Sequence, residues 1–188
     1  PREGCTVQAV LLWPEGRDER LEERILRSVR DERLSAGRVR RWRAFGMDMN
    51  VSEGLLLAEC RVEPANADMT FAPEHGAAPR ERFRRLGLVS HWLTGPVDGW
   101  LRLQVPKEVR VEREEMLQVD GHTVSRVRGR RRGWGGVRML GRRAPYEACA
   151  WICPRDERLY SVAREGRPGD TAAERLAGRK LRCCEALQ

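Results

Sequence analysis

Residues Met116 to Arg128 (MLQVDGHTVSRVR) place Asp120-Gly121 between two runs in which apolar and polar side chains alternate. A two-residue Asp-Gly connection suits a type I′ turn, whose central positions both take positive φ, and strands joined in this way pair antiparallel. The same two-residue period recurs along the chain and reads as a series of short strands. From Val39 to Val51, Phe45, Met47, Met49 and Val51 fall on one face and Trp42 and Ala44 on the other, predicting one half-buried strand. Ser52-Glu53-Gly54 makes a turn, after which Leu56, Ala58, Cys60 and Val62 alternate with Glu59, Arg61 and Glu63 as a second strand.

Further strands are predicted at Thr6 to Trp13, Met69 to Phe71, Phe83 to Ser90, Trp134 to Leu140, Ala148 to Cys153 and Leu159 to Ala163, with a terminal one from Lys180 to Cys183. Asp18 is positioned as an N-cap, and Leu21, Ile25 and Val29 share a helical face, so residues 18 to 30 are read as an amphipathic helix. Thr94 and Pro96 introduce a short helix carrying Val97, Trp100 and Leu101. Thr171 and Glu174 form a capping box that starts a last helix. The expected fold class is therefore α+β: a central, mainly antiparallel β-sheet flanked by two to three helices. It is read as a single domain over residues 1–188, with 1–38 a strand-helix lead-in and 39–184 the main sheet and closing helix.

The surface is heavily charged, with 36 basic and 28 acidic residues and a net charge of +8. Only Lys107 and Lys180 are lysines, so the basic character is almost wholly arginine. A positive field of this kind attracts acidic partners, while the interspersed carboxylates leave nucleic-acid binding permitted rather than demanded. Apolar stretches such as Val10 to Trp13 fall far short of the roughly 18 residues of a membrane span, so no transmembrane segment is expected.

Six cysteines, at 5, 60, 149, 153, 183 and 184, are too sparse for a disulfide-stapled scaffold. A cytoplasmic chain with mostly buried thiols is the expectation. Cys149, Cys153, Cys183 and Cys184 could supply four thiolates to zinc. Against this, adjacent Cys183 and Cys184 would point to opposite faces of a strand, so buried thiols or a single disulfide are the commoner outcome and no cofactor is expected.

The interval from 126 to 143 carries Arg126, Arg128, Arg130, Arg131, Arg132, Arg138, Arg142 and Arg143 and no acidic residue. Guanidinium forks suit phosphate, and Trp134 within Gly133-Trp134-Gly135-Gly136 could stack on a base. The competing reading is a solvated edge strand whose arginines pair with acidic stretches such as Glu112 to Glu115. His75, His91 and His122 stand in no spacing that specifies a triad or metal centre, and His122, just beyond the Asp-Gly turn, is read as structural.

The stretch Trp42-Arg-Ala-Phe-Gly-Met-Asp-Met-Asn-Val-Ser-Glu-Gly54, followed by a Leu-rich strand and Ala67-Asp-Met-Thr-Phe71, resembles the opening of PsbP-like domains. The later order of Asp-Gly hairpin, apolar strand ending near Leu159-Tyr160, helix and closing strand is similar too, and the resemblance covers residues 42 to 184. It implies a central antiparallel sheet with flanking helices and a non-catalytic binding or assembly role. The expected function is accordingly a non-enzymatic protein that presents a sheet surface or the arginine segment to a protein partner, with nucleic-acid binding through residues 126–143 as the alternative.

Overall fold

The computed structural model describes residues 16–28, 39–76, 78–131, 144–167 and 176–184. The segments expected as strands at 6–13 and 134–140 and the capping box at 171–174 lie outside the described residues. The described elements are α1 (Glu19–Ser28), β1 (Val39–Ala44), β2 (Met47–Ser52), β3 (Leu56–Glu63), β4 (Asn66–Ala72), β5 (Arg80–Leu86) and α2 (Val89–Trp92). They continue with α3 (Val97–Gln104), β6 (Val109–Val119), β7 (His122–Arg131), β8 (Ala144–Ile152), β9 (Leu159–Glu165), α4 (Leu176–Arg179) and β10 (Leu181–Arg182). Pairing is antiparallel throughout, in a seven-stranded sheet of order β3-β4-β5-β9-β8-β7-β6 and a three-stranded sheet of order β1-β2-β10. The fold is α+β, and among the described residues no helix is long and apolar enough to cross a membrane.

Local chemistry accounts for most of these elements. Asp18 Oδ1 accepts the Leu21 amide at 2.9 Å and caps α1 as the sequence predicts. Asp120 and Gly121 both take positive φ, 49° and 77°, and join β6 to β7 in the Asp-Gly hairpin. The single strand expected over 39–51 is instead a hairpin. Phe45 (φ 51°) and Gly46 (φ 70°) turn the chain, Ala44 pairs with Met47 and Trp42 with Met49. Because directly opposed residues share a face, Trp42 and Ala44 join Met47 and Met49 on the core side, while Phe45 is left exposed at the tip. The strand expected over 83–90 also ends early, at Leu86, where Leu88 in the left-handed region starts α2.

Two apolar layers clasp the large sheet. On one face the small sheet supplies Met47, Met49 and Val51, which pack among Met69, Phe71, Phe83, Trp151 and Tyr160. Trp42 meets Phe71 edge-on at 5.1 Å, and Phe71 meets Phe83 at 5.7 Å, contacts worth about 0.5–1.5 kcal/mol each beyond the area they bury. On the other face α2 and α3 bring Val89 and Leu101 against Val127, Ala148, Ala150 and Leu159. β8 lies between the layers, so Tyr146 to Trp151 are all buried and read as a continuous run rather than an alternation.

The two sheets are also tied by a buried charge. Glu81 on β5, 1% exposed, accepts the Ser52 amide at 3.0 Å and the Ser52 hydroxyl at 2.6 Å at the end of β2. Lys180, which leads into β10, brings Nζ to 3.1 Å from Glu81 Oε1 and donates to Ser52 Oγ at 2.8 Å. Neutralising Glu81 by Glu81→Gln leaves Lys180 charged in an apolar interior, and urea unfolding should report a loss of about 3–5 kcal/mol. The double replacement Glu81→Gln/Lys180→Met should recover much of that loss. A second ion cluster sits on the outer side of the small sheet, where Asp48 pairs with Arg41 and lies 3.4 Å from Arg43 Nε. The hydrogen bond from Arg41 foremost holds the Asp48 carboxyl below its ordinary value. The sign follows: the stabilisation is present above the unfolded value of about 3.9 and is lost as pH falls through the depressed folded one. Asp48→Asn should therefore cost about 1.5–3 kcal/mol at neutral pH, with the difference from the parent protein closing in acid, as read by denaturation at several pH values.

Candidate functional site

The described part of the arginine segment lies on β7, which runs between β6 and β8 and is not an edge. Its acidic partners come from the neighbouring strands. Arg126 is 6% exposed, with Nε 2.5 Å from Glu147 Oε1 and Nη1 3.2 Å from Glu115 Oε1. Arg128 Nε lies 3.5 Å from Glu147, Arg130 Nε 3.5 Å from Glu112, and Arg131 Nη1 donates to both Glu165 oxygens at 2.7 Å. The described part of the acid-free run, Arg126 to Arg131, is thus met by carboxylates across strands, because side chains opposite one another on a sheet sit closer than sequence neighbours do. Glu112 and Glu115 take part as the competing reading anticipates, and Glu147 and Glu165 join them. Arg132, Trp134, Arg138, Arg142 and Arg143 lie outside the described residues.

A different basic surface emerges on the helical side of the large sheet. α3 covers β7 to β9, whereas the same face of β3 to β5 carries charged side chains around a groove of about 320 Å³ beside the C-terminal end of α3. Arg61, Arg80, Arg82, Arg84 and Arg131 line it, against the carboxylates Glu59, Asp68 and Glu165. Arg82 and Arg84 share Asp68, and Arg84 also lies 5.4 Å over the Trp100 ring and donates to Gln104 Oε1 at 2.8 Å. Burial foremost, with Arg82 adding and Asp68 opposing, pushes the Arg84 guanidinium down. Tyr146 on the groove floor is pushed up to about 12 by burial and stays a neutral phenol.

On the opposite face the metal-type residues gather, in a combination that differs from the expected one. Cys149 points into the core beside Val162 and stands apart from the cluster. In its place His122, at the first position of β7, joins Cys153, Cys183 and Cys184, and the four ligand atoms lie within 4.8 Å of one another. Cys153 Sγ is 3.1 Å from Cys184 Sγ, and His122 Nε2 is 3.3 Å from Cys183 Sγ and 3.2 Å from Cys184 Sγ. The objection that adjacent cysteines face opposite ways fails because β10 ends at Arg182; the chain bends at Cys183 and turns at Cys184, bringing both sulfurs inward at 3.5 Å. Burial drives the Cys183 thiol up to about 12 and also raises Cys184. For Cys153 burial acts in the same direction, but the hydrogen bonding around its sulfur outweighs it and leaves the thiol below its ordinary value.

His122 is the residue that sequence reasoning passed over, since it lies 31 and 61 positions from its partners Cys153 and Cys183. The one local signal was its place directly after the Asp-Gly turn, which fixes both its backbone and its direction. No protein-family model matches the chain, and no curated protein matches its sequence. The arginine assignments can be separated by stability alone. Arg126→Ala strands Glu147 and Glu115 in a largely buried setting and should cost about 3–5 kcal/mol in urea unfolding, whereas Arg130→Ala, in an exposed pair, should cost under about 0.5 kcal/mol.

Proposed function

We propose that this chain is a non-enzymatic binding or assembly protein that presents the arginine-lined face of its seven-stranded sheet to an acidic protein partner. The observation that carries the reading is the groove beside the C-terminal end of α3, where, among the described residues, five arginines outnumber three carboxylates. Charge complementarity of this kind steers an acidic surface into place and sets its register. The overall charge of +8 acts in the same direction at longer range. The non-catalytic role implied by the PsbP-like resemblance agrees with it, and a cytoplasmic setting, where thiols stay reduced, goes with the cysteine content. Nucleic-acid binding through residues 126–143 is less favoured, because Arg126 is buried and Arg128, Arg130 and Arg131 already face carboxylates.

A labelled polyglutamate peptide and a single-stranded oligonucleotide, titrated by fluorescence anisotropy at low and high salt, distinguish the two. The peptide should bind at low salt and dissociate as salt rises. Arg61→Glu/Arg80→Glu should weaken it by at least about tenfold, while Arg130→Glu leaves it unchanged. Absence of peptide binding at low salt, or equal binding by the double variant, overturns the reading. Oligonucleotide binding that is lost on reversal at Arg130 and kept on reversal at Arg61 and Arg80 replaces it with the nucleic-acid one.

A further inference from the structure

We propose that His122, Cys153, Cys183 and Cys184 bind one zinc ion in a closed tetrahedral site that clips the C-terminal segment to the large sheet. The donor set is three sulfurs and one imidazole nitrogen, a combination that structural zinc accepts. With sulfur about 2.3 Å and nitrogen about 2.0 Å from the metal, tetrahedral geometry sets ligand atoms roughly 3.5–3.8 Å apart. The observed separations of 3.1, 3.2, 3.3 and 3.5 Å lie at or up to about 0.7 Å below that span and all four atoms fall within 4.8 Å of one another, so side-chain shifts of about an ångström or less bring them onto one ion. A cage this small holds a single ion rather than an iron–sulfur cluster.

The groups around the four ligands point the same way. His122 Nδ1 lies 2.9 Å from the Asp120 carbonyl oxygen, a group that can only accept, so Nδ1 carries the proton and Nε2 turns its lone pair on the sulfurs. The type I′ turn that fixes Asp120 thereby fixes the imidazole tautomer as well. Trp151 Nε1, a donor only, directs its N–H at Cys183 Sγ from 3.4 Å. Donors aimed at sulfur stabilise thiolates rather than thiols.

The ligands come from three places in the chain: the start of β7, the turn after β8 and the turn after β10. All four coordination positions are filled by protein, which makes the centre structural rather than catalytic. Its job is to hold the short β10, only Leu181–Arg182, where two residues of pairing alone give little anchorage. This inference is independent of the partner-binding reading, because the centre lies on the face of the sheet opposite the arginine groove.

The test uses the full chain purified reduced and without chelator, with metal content measured by elemental mass spectrometry. One zinc per chain is expected, with Cys149→Ser retaining it and Cys184→Ser falling below half. Cobalt(II) added to the reduced, metal-stripped parent protein should give the strong visible bands of a tetrahedral site together with sulfur-to-metal charge transfer, a readout that does not depend on any variant folding. Zinc well below one equivalent after incubation with the metal, cobalt uptake without thiolate charge transfer, or equal metal loss in Cys149→Ser and Cys184→Ser overturns the proposal. So does a Cys153–Cys184 disulfide whose reduction fails to restore zinc uptake.

Discussion

Glu81 sits where two sheets meet, and its carboxylate answers at once to a backbone amide, a hydroxyl and an ammonium group from the small sheet or its approach, with Arg164 Nε of β9 at 3.8 Å. A buried ion pair of this kind adds little net stability compared with an apolar substitute, since desolvation offsets most of the attraction. It is instead specific about position. Apolar contacts among Met47, Met49, Phe71 and Phe83 would tolerate some sliding of one sheet over the other, whereas Lys180 has a single place in which its charge is met. That place determines where β10 begins, and hence where Cys183 and Cys184 arrive.

The large sheet then serves two separate purposes on its two faces. The face toward the small sheet is apolar at its centre and carries the thiol and imidazole groups at one end, where burial and donor hydrogen bonds shape their chemistry. The helical face is closed by α3 over β7 to β9 and charged over β3 to β5. Period-two alternation makes this division possible: on β5, Glu81 and Phe83 serve one side while Arg82 and Arg84 serve the other.

Features whose causes lie within a few residues were legible in the sequence. The Asp-Gly hairpin, the Asp18 cap and the α+β class all rest on local backbone chemistry. The β1–β2 hairpin was missed because Phe45 adopts positive φ without an Asn or Asp to advertise it, and the unbroken alternation passed for one strand. The arginine segment looked unpaired because its carboxylates sit on β6, β8 and β9, and Glu81 was hidden as one acid among Arg80, Arg82, Arg84 and Arg85. The zinc-type cluster was half legible: three of its four members stood among the candidates, but only the fold could exchange Cys149 for His122 and turn Cys184 inward.

The central claim is that the Glu81–Lys180 contact positions the C-terminal thiols, and it is tested most directly by native-state thiol labelling read residue by residue with mass spectrometry. Comparing the parent protein with Glu81→Gln, Cys149 on β8 should accelerate only as far as the lost global stability requires, whereas alkylation of Cys183 should accelerate by roughly a hundredfold more, the equivalent of about 2.8 kcal/mol of lost local anchorage. Equal acceleration at Cys183 and Cys149 would mean that Glu81 supports the fold as a whole, and no acceleration at Cys183 would mean that β10 is held by other contacts; either result contradicts the account.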